Sequence, residues 1–136
     1  MPTDIETPYG LRVIRLSDNN EGWQVRTMMP DNNVIASDKM RTWTECACVA
    51  TVFHLETRED YRRKGIASLM LAELEAVARR ENISLLVLTV RTGNLPCRAL
   101  VRKLGYTEAC AWQNVRTGND LVLARKVLRL AVEDSI

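Results

Sequence analysis

The sequence predicts an α/β fold, helices packed on the faces of a mixed sheet, and three observations lead there. Short runs with strand-like alternation fill the first part of the chain, one amphipathic helical run occupies residues 66–80, and a strand, a short helix and a last strand pair follow. At 136 residues the chain suits one domain and is long enough to bury a core without disulfides or metals.

Leu11–Leu16 reads as the first strand, after a polar leader ending in Pro8-Tyr9-Gly10. From Trp23 to Met29, the residues Trp23, Val25, Thr27 and Met29 alternate against Gln24, Arg26 and Met28, and Pro30-Asp31-Asn32-Asn33 has turn chemistry. Val34–Trp43 then returns as the second arm of a hairpin. A helix over residues 17–29, capped by Ser17 or Asp18, competes with this reading; Gly22 and the strict alternation favour the hairpin. Glu45–Thr57 continues antiparallel beside it, its stretch from Cys48 to Leu55 rich in β-branched and apolar residues.

Ile66, Leu69, Met70, Leu74 and Val77 recur at helical spacing, which predicts a helix over residues 66–80, with Glu75 and Arg79 set for an i,i+4 ion pair. Glu73 falls inside the apolar arc, and contact with Arg80 or the helix flank is its expected fate. Leu85–Val90 is the next strand. A short helix starts near Pro96 and ends at Gly105 as its cap, and Thr107–Gln113 and Asp120–Leu130 close the chain as two strands.

Between the strand ending at Thr57 and the helix from Ile66 lies the basic turn Arg62-Arg63-Lys64-Gly65-Ile66-Ala67. The first N–H groups of a helix have no intrahelical partners, and the positive end of its dipole favours an anion, so a basic, glycine-bearing turn at that point suits phosphate. Taken alone, a basic loop before a helix is more often a solvated surface turn.

The context narrows the choice. Leu55-Glu56-Thr57, then Asp60-Tyr61-Arg62-x-x-Gly65-x-Ala67 opening a helix, resembles the acetyl-CoA loop of the GNAT superfamily of acyl-CoA-dependent N-acyltransferases. A second block follows at the family's spacing: the strand Leu86–Val90, Asn94, and Ala99-Leu100-x-x-Lys103-Leu104-Gly105-Tyr106 with the family's Gly-aromatic ending. The resemblance covers roughly the C-terminal two-thirds of the chain. It implies a single GNAT-like domain over residues 1–136, with a mostly antiparallel sheet, a cofactor-binding core over about 46–113 and a terminal strand pair over about 107–130. It also implies acetyl-CoA as co-substrate and transfer of its acetyl group to a primary amine of a protein, peptide or small molecule. By the same resemblance, backbone groups of Leu55, Glu56 and Thr57 hold the pantetheine and thioester. Arg62, Arg63, Lys64, Gly65, Ile66, Ala67 and Ser68 take the pyrophosphate, and Asn94 contacts the cofactor or fixes its own turn.

The chain departs from the family twice. Only Ser17 to Gly22 separates the first two strands, where the family usually has two helices that wall the acceptor site, so the acceptor pocket is open or a second subunit closes it. Val101 stands where the family often has a tyrosine acid; a thiol of pKa about 8.5 is a fair leaving group without one. For the base, His54 and Glu56 are the candidates on the strand leading into the loop, beside an unidentified group or a water chain. A non-catalytic acyl-CoA-binding or protein-interaction module is the alternative function.

Composition excludes other classes. With 19 basic and 17 acidic residues the net charge of +2 argues against nucleic acid as a partner and against a polybasic membrane anchor; no run approaches a membrane span, and the N-terminus lacks a secretory pattern. Cys46, Cys48, Cys97 and Cys110 read as reduced thiols in a cytoplasmic protein, without a metal site. Cys46 and Cys48 are expected on one strand, facing the same way and poorly placed to pair. Strand edges in the terminal pair leave room for a homodimer.

Overall fold

The computed structural model describes residues 10–16, 22–62 and 65–129. Seven strands form one sheet: β1 (Gly10–Leu16), β2 (Gly22–Met28), β3 (Val34–Thr42), β4 (Val49–Thr57), β5 (Leu85–Arg91), β6 (Thr107–Asn114) and β7 (Asn119–Val127). Their order is β1-β2-β3-β4-β5-β7-β6, antiparallel throughout except for the β4–β5 pair. That single parallel pair is joined through α1 (Ile66–Arg80), and α2 (Leu95–Lys103) joins β5 to β6. The mixed, mostly antiparallel α/β sheet expected from the sequence is the one observed, and the hairpin reading of residues 23–43 stands.

Cross-strand partners define a core face. Val25 lies opposite Asp38, Met40 opposite Val52, Ala50 beside Leu86 and Leu88 opposite Ala124. Against this face α1 buries Ile66, Met70, Leu74, Val77 and Ala78, and α2 buries Val101, all in one continuous cluster. Both helices thus serve the same side, and among the described residues the opposite face carries no helix.

Local chemistry sets the element ends. At the β2–β3 turn, Asn32 takes φ 70°, Met29 N–H donates to Asn33 O at 3.0 Å, and the Asp31 carboxylate accepts from Asn33 N–H at 3.1 Å. Helix α2 ends in a Schellman motif: Tyr106 N–H reaches Val101 O at 2.9 Å, Gly105 N–H reaches Arg102 O at 3.1 Å, and Gly105 has the left-handed φ of 97°. The Val101 and Tyr106 side chains join the core beside it, which gives the Gly-aromatic ending a packing role. The carboxylate of Glu75 on α1 accepts from Arg79 at 2.8 Å, as its spacing predicts, and also from Lys126 of β7 at 2.7 Å. Burial acts to raise the Glu75 pKa, but these two cations hold it below the ordinary carboxylate value. Glu73 has no ion pair with Arg80; it stays half-buried on the helix flank.

One expectation is overturned. Cys46 and Cys48 lie in the turn before β4, not on it, and their sulfur atoms are 3.0 Å apart. Val49 N–H donates to Cys46 O at 3.0 Å, and this tight turn brings together side chains that a strand would keep apart in separate pleats. Their mutual contact raises the Cys48 thiol above its ordinary pKa.

Candidate active site

The site grows from a defect in β4. Ser37 pairs with Glu56 and Lys39 with Phe53, so Asp38 alone faces two residues, His54 and Leu55. The extra residue makes a β-bulge, and His54 takes the strain of it at φ 53°, a conformation that glycine adopts more easily. Pairing with β5 covers only Val49, Ala50 and Thr51; beyond them the two parallel strands diverge, and the β4 edge toward β5 has no strand partner.

Into that gap points the start of α1. Gly65 precedes it with φ 78° and ψ 6°, no side chain caps it, and an added Cβ at Gly65 would meet nothing within 4 Å. Leu69 N–H bonds Gly65 O at 3.2 Å, and the amides of Ile66, Ala67 and Ser68, which line the cleft described next, have no backbone partner among the described residues. Helix α2 starts differently. There Asn94 Oδ1 accepts from Cys97 N–H at 3.2 Å and caps the helix itself.

Between these parts lies a cleft of about 870 Å³. Its walls are residues 34–37 of β3, Leu55 to Arg58, Tyr61, Arg62, Gly65 to Ser68, and Asn94, Pro96, Cys97 and Leu100. Most of the residues singled out in the sequence meet here: Leu55, Glu56, Thr57, Arg62, Gly65, Ile66, Ala67, Ser68 and Asn94. Arg62 is held in place by its Nε–H, which donates to Thr57 O at 3.0 Å. Arg63 and Lys64 lie outside the described residues. His54 is not part of the cleft wall; its exposed ring sits edge-on to Phe53, with centroids 4.9 Å apart. Val101 points into the core at 1% exposure and does not line the cleft. Burial raises the Cys97 thiol, so it is neutral in the wall.

Sequence reasoning misses the β3 contribution and, behind it, Asp38. That carboxylate is 0% exposed, neither oxygen has a hydrogen-bond partner, and the Thr27 hydroxyl two rungs away on the same face is equally unsatisfied. Burial lifts the Asp38 pKa to about 8, with backbone groups of Val25 and Asp38 opposing the shift. Tyr106 is pushed well above its ordinary range by burial, then by the carboxylates of Glu75 and Asp38. The signal is present in the sequence as an acid at an inward position of the alternation Ala36, Asp38, Met40.

Among the described residues no three His, Cys, Asp or Glu side chains gather to hold a metal, and no helix is long and apolar enough to cross a membrane.

Known proteins share this fold. A model of the GNAT acetyltransferase family matches residues 4–106. The ribosomal-protein-S18-alanine N-acetyltransferase of Escherichia coli superposes with a TM-score of 0.69 at 21% identity, covering 82% of this chain and 72% of its own. A Bacillus anthracis acetyltransferase solved in complex with acetyl coenzyme A gives 0.72 at 13% identity, with 84% and 66% covered. The IAA acetyltransferase of Bacillus cereus gives 0.74 at 13% identity, with 88% and 100% covered. No curated protein matches the chain.

Proposed function

Because the chain belongs to the GNAT acetyltransferase family, we propose that this cleft binds acetyl-CoA and passes its acetyl group to a primary amine, with Glu56 as the proton acceptor. The observation that supports this most is the meeting, in one cleft, of a bulged β4 edge without a partner and an uncapped helix start. The amides of Ile66, Ala67 and Ser68 suit the pyrophosphate, with positive charge from Arg62, Arg63 and Lys64. Backbone groups from Leu55 to Thr57 suit the pantetheine amides, since a strand edge offers donors and acceptors at a regular spacing. Asn94 holds the α2 end of the wall by capping it.

The thioester supplies an activated acyl carbon and a thiolate leaving group of pKa about 8.5. The chain's own part is to align and deprotonate. A new N–C bond forms as the C–S bond breaks, and the proton lost by the amine goes to the Glu56 carboxylate, directly or through a water. Glu56 is favoured over His54 because it lines the cleft and His54 does not. Incubation with acetyl-CoA and a panel of amines, followed by titration of released thiol, tests the activity. Glu56→Gln is expected to lower kcat about 10²- to 10⁴-fold with little change in acetyl-CoA affinity; an unchanged kcat removes Glu56 from the role.

Binding of acyl-CoA without turnover is a second reading, supported by Val101, which leaves no acid side chain at the position where the family often has one. Thermal stabilisation by CoA together with no thiol release from any amine selects it.

A further inference from the structure

The sheet face that no described helix covers carries a charge pattern that β pairing does not explain. Arg12 lies directly opposite Arg26, Arg26 opposite Ser37, and Ser37 opposite Glu56, a single row across four strands. Ser37 and Glu56 are part of the cleft wall, so the row runs out of the cleft onto the open face. In the next row Lys39 lies between Gln24 and Phe53. Like charges directly opposite on neighbouring strands destabilise a sheet, and Arg26 and Lys39 are half-buried, which increases the cost. None of Arg12, Arg26 and Lys39 has an ion pair with a described residue. The described carboxylate sharing this row is Glu56, at its cleft end.

On the reading above, we propose that this row is the acceptor track and that the acceptor is the amino terminus of an acidic peptide. The core side of the gap is occupied by the two helix starts, so a cofactor lying on them leaves the open face for the amine. An amine held at Glu56 would then have Arg26 two strands away and Arg12 three strands away, about 10 and 14 Å at ~4.8 Å per strand. A peptide laid across the strands, at ~3.3 Å per residue, places its fourth and fifth side chains over the two arginines. Acidic side chains there relieve the Arg12–Arg26 repulsion and form charge-assisted hydrogen bonds with both guanidiniums. The same field speeds encounter with negatively charged chains and repels basic ones.

The test compares acetyl transfer to Ala-Gly-Gly-Glu-Glu, Ala-Gly-Gly-Gln-Gln and Ala-Gly-Gly-Lys-Lys. The acidic peptide is expected to exceed the glutamine peptide in kcat/KM by about 10- to 100-fold at low salt, with the lysine peptide poorest and the spread shrinking at high ionic strength. Arg26→Glu is expected to invert the order, a gain for the lysine peptide that misfolding cannot produce; Arg80→Ala, on the far end of α1, keeps it. Equal rates on all three peptides overturn the track while leaving the transferase reading intact. So does free glutamate serving as well as the acidic peptide, because its carboxylates lie too close to its amine to reach Arg26. Absence of transfer to every peptide while another amine of the panel is acetylated overturns the track alone; absence of transfer to every amine, with acetyl-CoA bound, sinks both.

Discussion

The first three residues of β4 and its last four have opposite fates. Ala50 and Thr51 are paired on both sides, with Thr42 and Arg41 on β3 and Leu86 and Val87 on β5, and Val49 pairs with Leu85 on β5 and accepts from Trp43 N–H at 2.9 Å on its other side. His54 to Thr57 are bulged on one side and unpaired on the other. Ala50 and Val52 disappear into the core, while Leu55, Glu56 and Thr57 face the cleft. One strand is thus structural at its start and available to a ligand at its end. The change follows from one extra residue opposite Asp38, which turns the strand away from β5. Stability and binding are therefore separable along this strand, and substitutions can test each half in turn.

The largest expected effect lies in the paired half. Leu86→Ala removes a fully buried side chain beside Ala50 and should cost about 2–5 kcal/mol of stability, read from urea unfolding, with acetyl-CoA affinity of the folded fraction retained. An equal loss of affinity would show that the two halves are not separable.

Asp38, beneath the bulge, gives the next effect. Its folded pKa of about 8 lies above the unfolded value near 3.8, so the folded state binds the proton more tightly. Its contribution is full below pH 4 and is lost as pH rises toward and through 8. Asp38→Asn abolishes that loss: at pH 9 the variant should be more stable than the parent by a margin on the order of a few kcal/mol, closing toward pH 4. Glu75 and Tyr106 face the same region; Tyr106 loses the charge of Asp38 in the variant but keeps its proton up to pH 9 in both proteins, so the difference curve over this range reports Asp38. A flat difference across this range would refute the buried, protonated state.

A smaller change is expected at the cleft's helix start. Gly65→Val places a β-branched residue at φ 78°, costing about 1–2 kcal/mol, and should raise the KM for acetyl-CoA more than it lowers kcat. The smallest is His54→Gly, which relaxes the bulge at φ 53° and should gain up to about 1 kcal/mol in thermal unfolding. If His54 is a bystander to the chemistry, kcat stays within about twofold; a far larger drop would return it to the role of base.

Much of the fold is legible in the chain because local periodicity and long-range packing agree. The helix from Ile66 to Arg80 keeps its predicted ends, since its apolar stripe is the face that the sheet needs covered. The strands shift by only a few residues at their ends. Cys46 and Cys48 do not follow the pattern, because the extended-run signal continues through a turn fixed by a backbone bond from Val49 to Cys46. For the site, the Arg62-x-x-Gly65-x-Ala67 turn locates the helix start, which needs only local chemistry. The inward Asp38, the Ser37 wall and the exclusion of His54 depend on which residue of β3 faces which of β4, and no local signal reports that.

By itself the sequence determined the element order, the glycine before α1, the capping Asn94 and the Gly105-Tyr106 ending, because each depends on a few neighbouring residues and their backbone preferences. Only the tertiary structure decided the register. A single extra residue in β4 opens the gap to β5, moves His54 out of the cleft and keeps Glu56 in it, and pairing across β1, β2 and β3 aligns Arg12, Arg26 and Ser37 with that glutamate. Those residues are distant in the chain and adjacent only through hydrogen bonds between strands, a relation that periodicity along one strand does not encode.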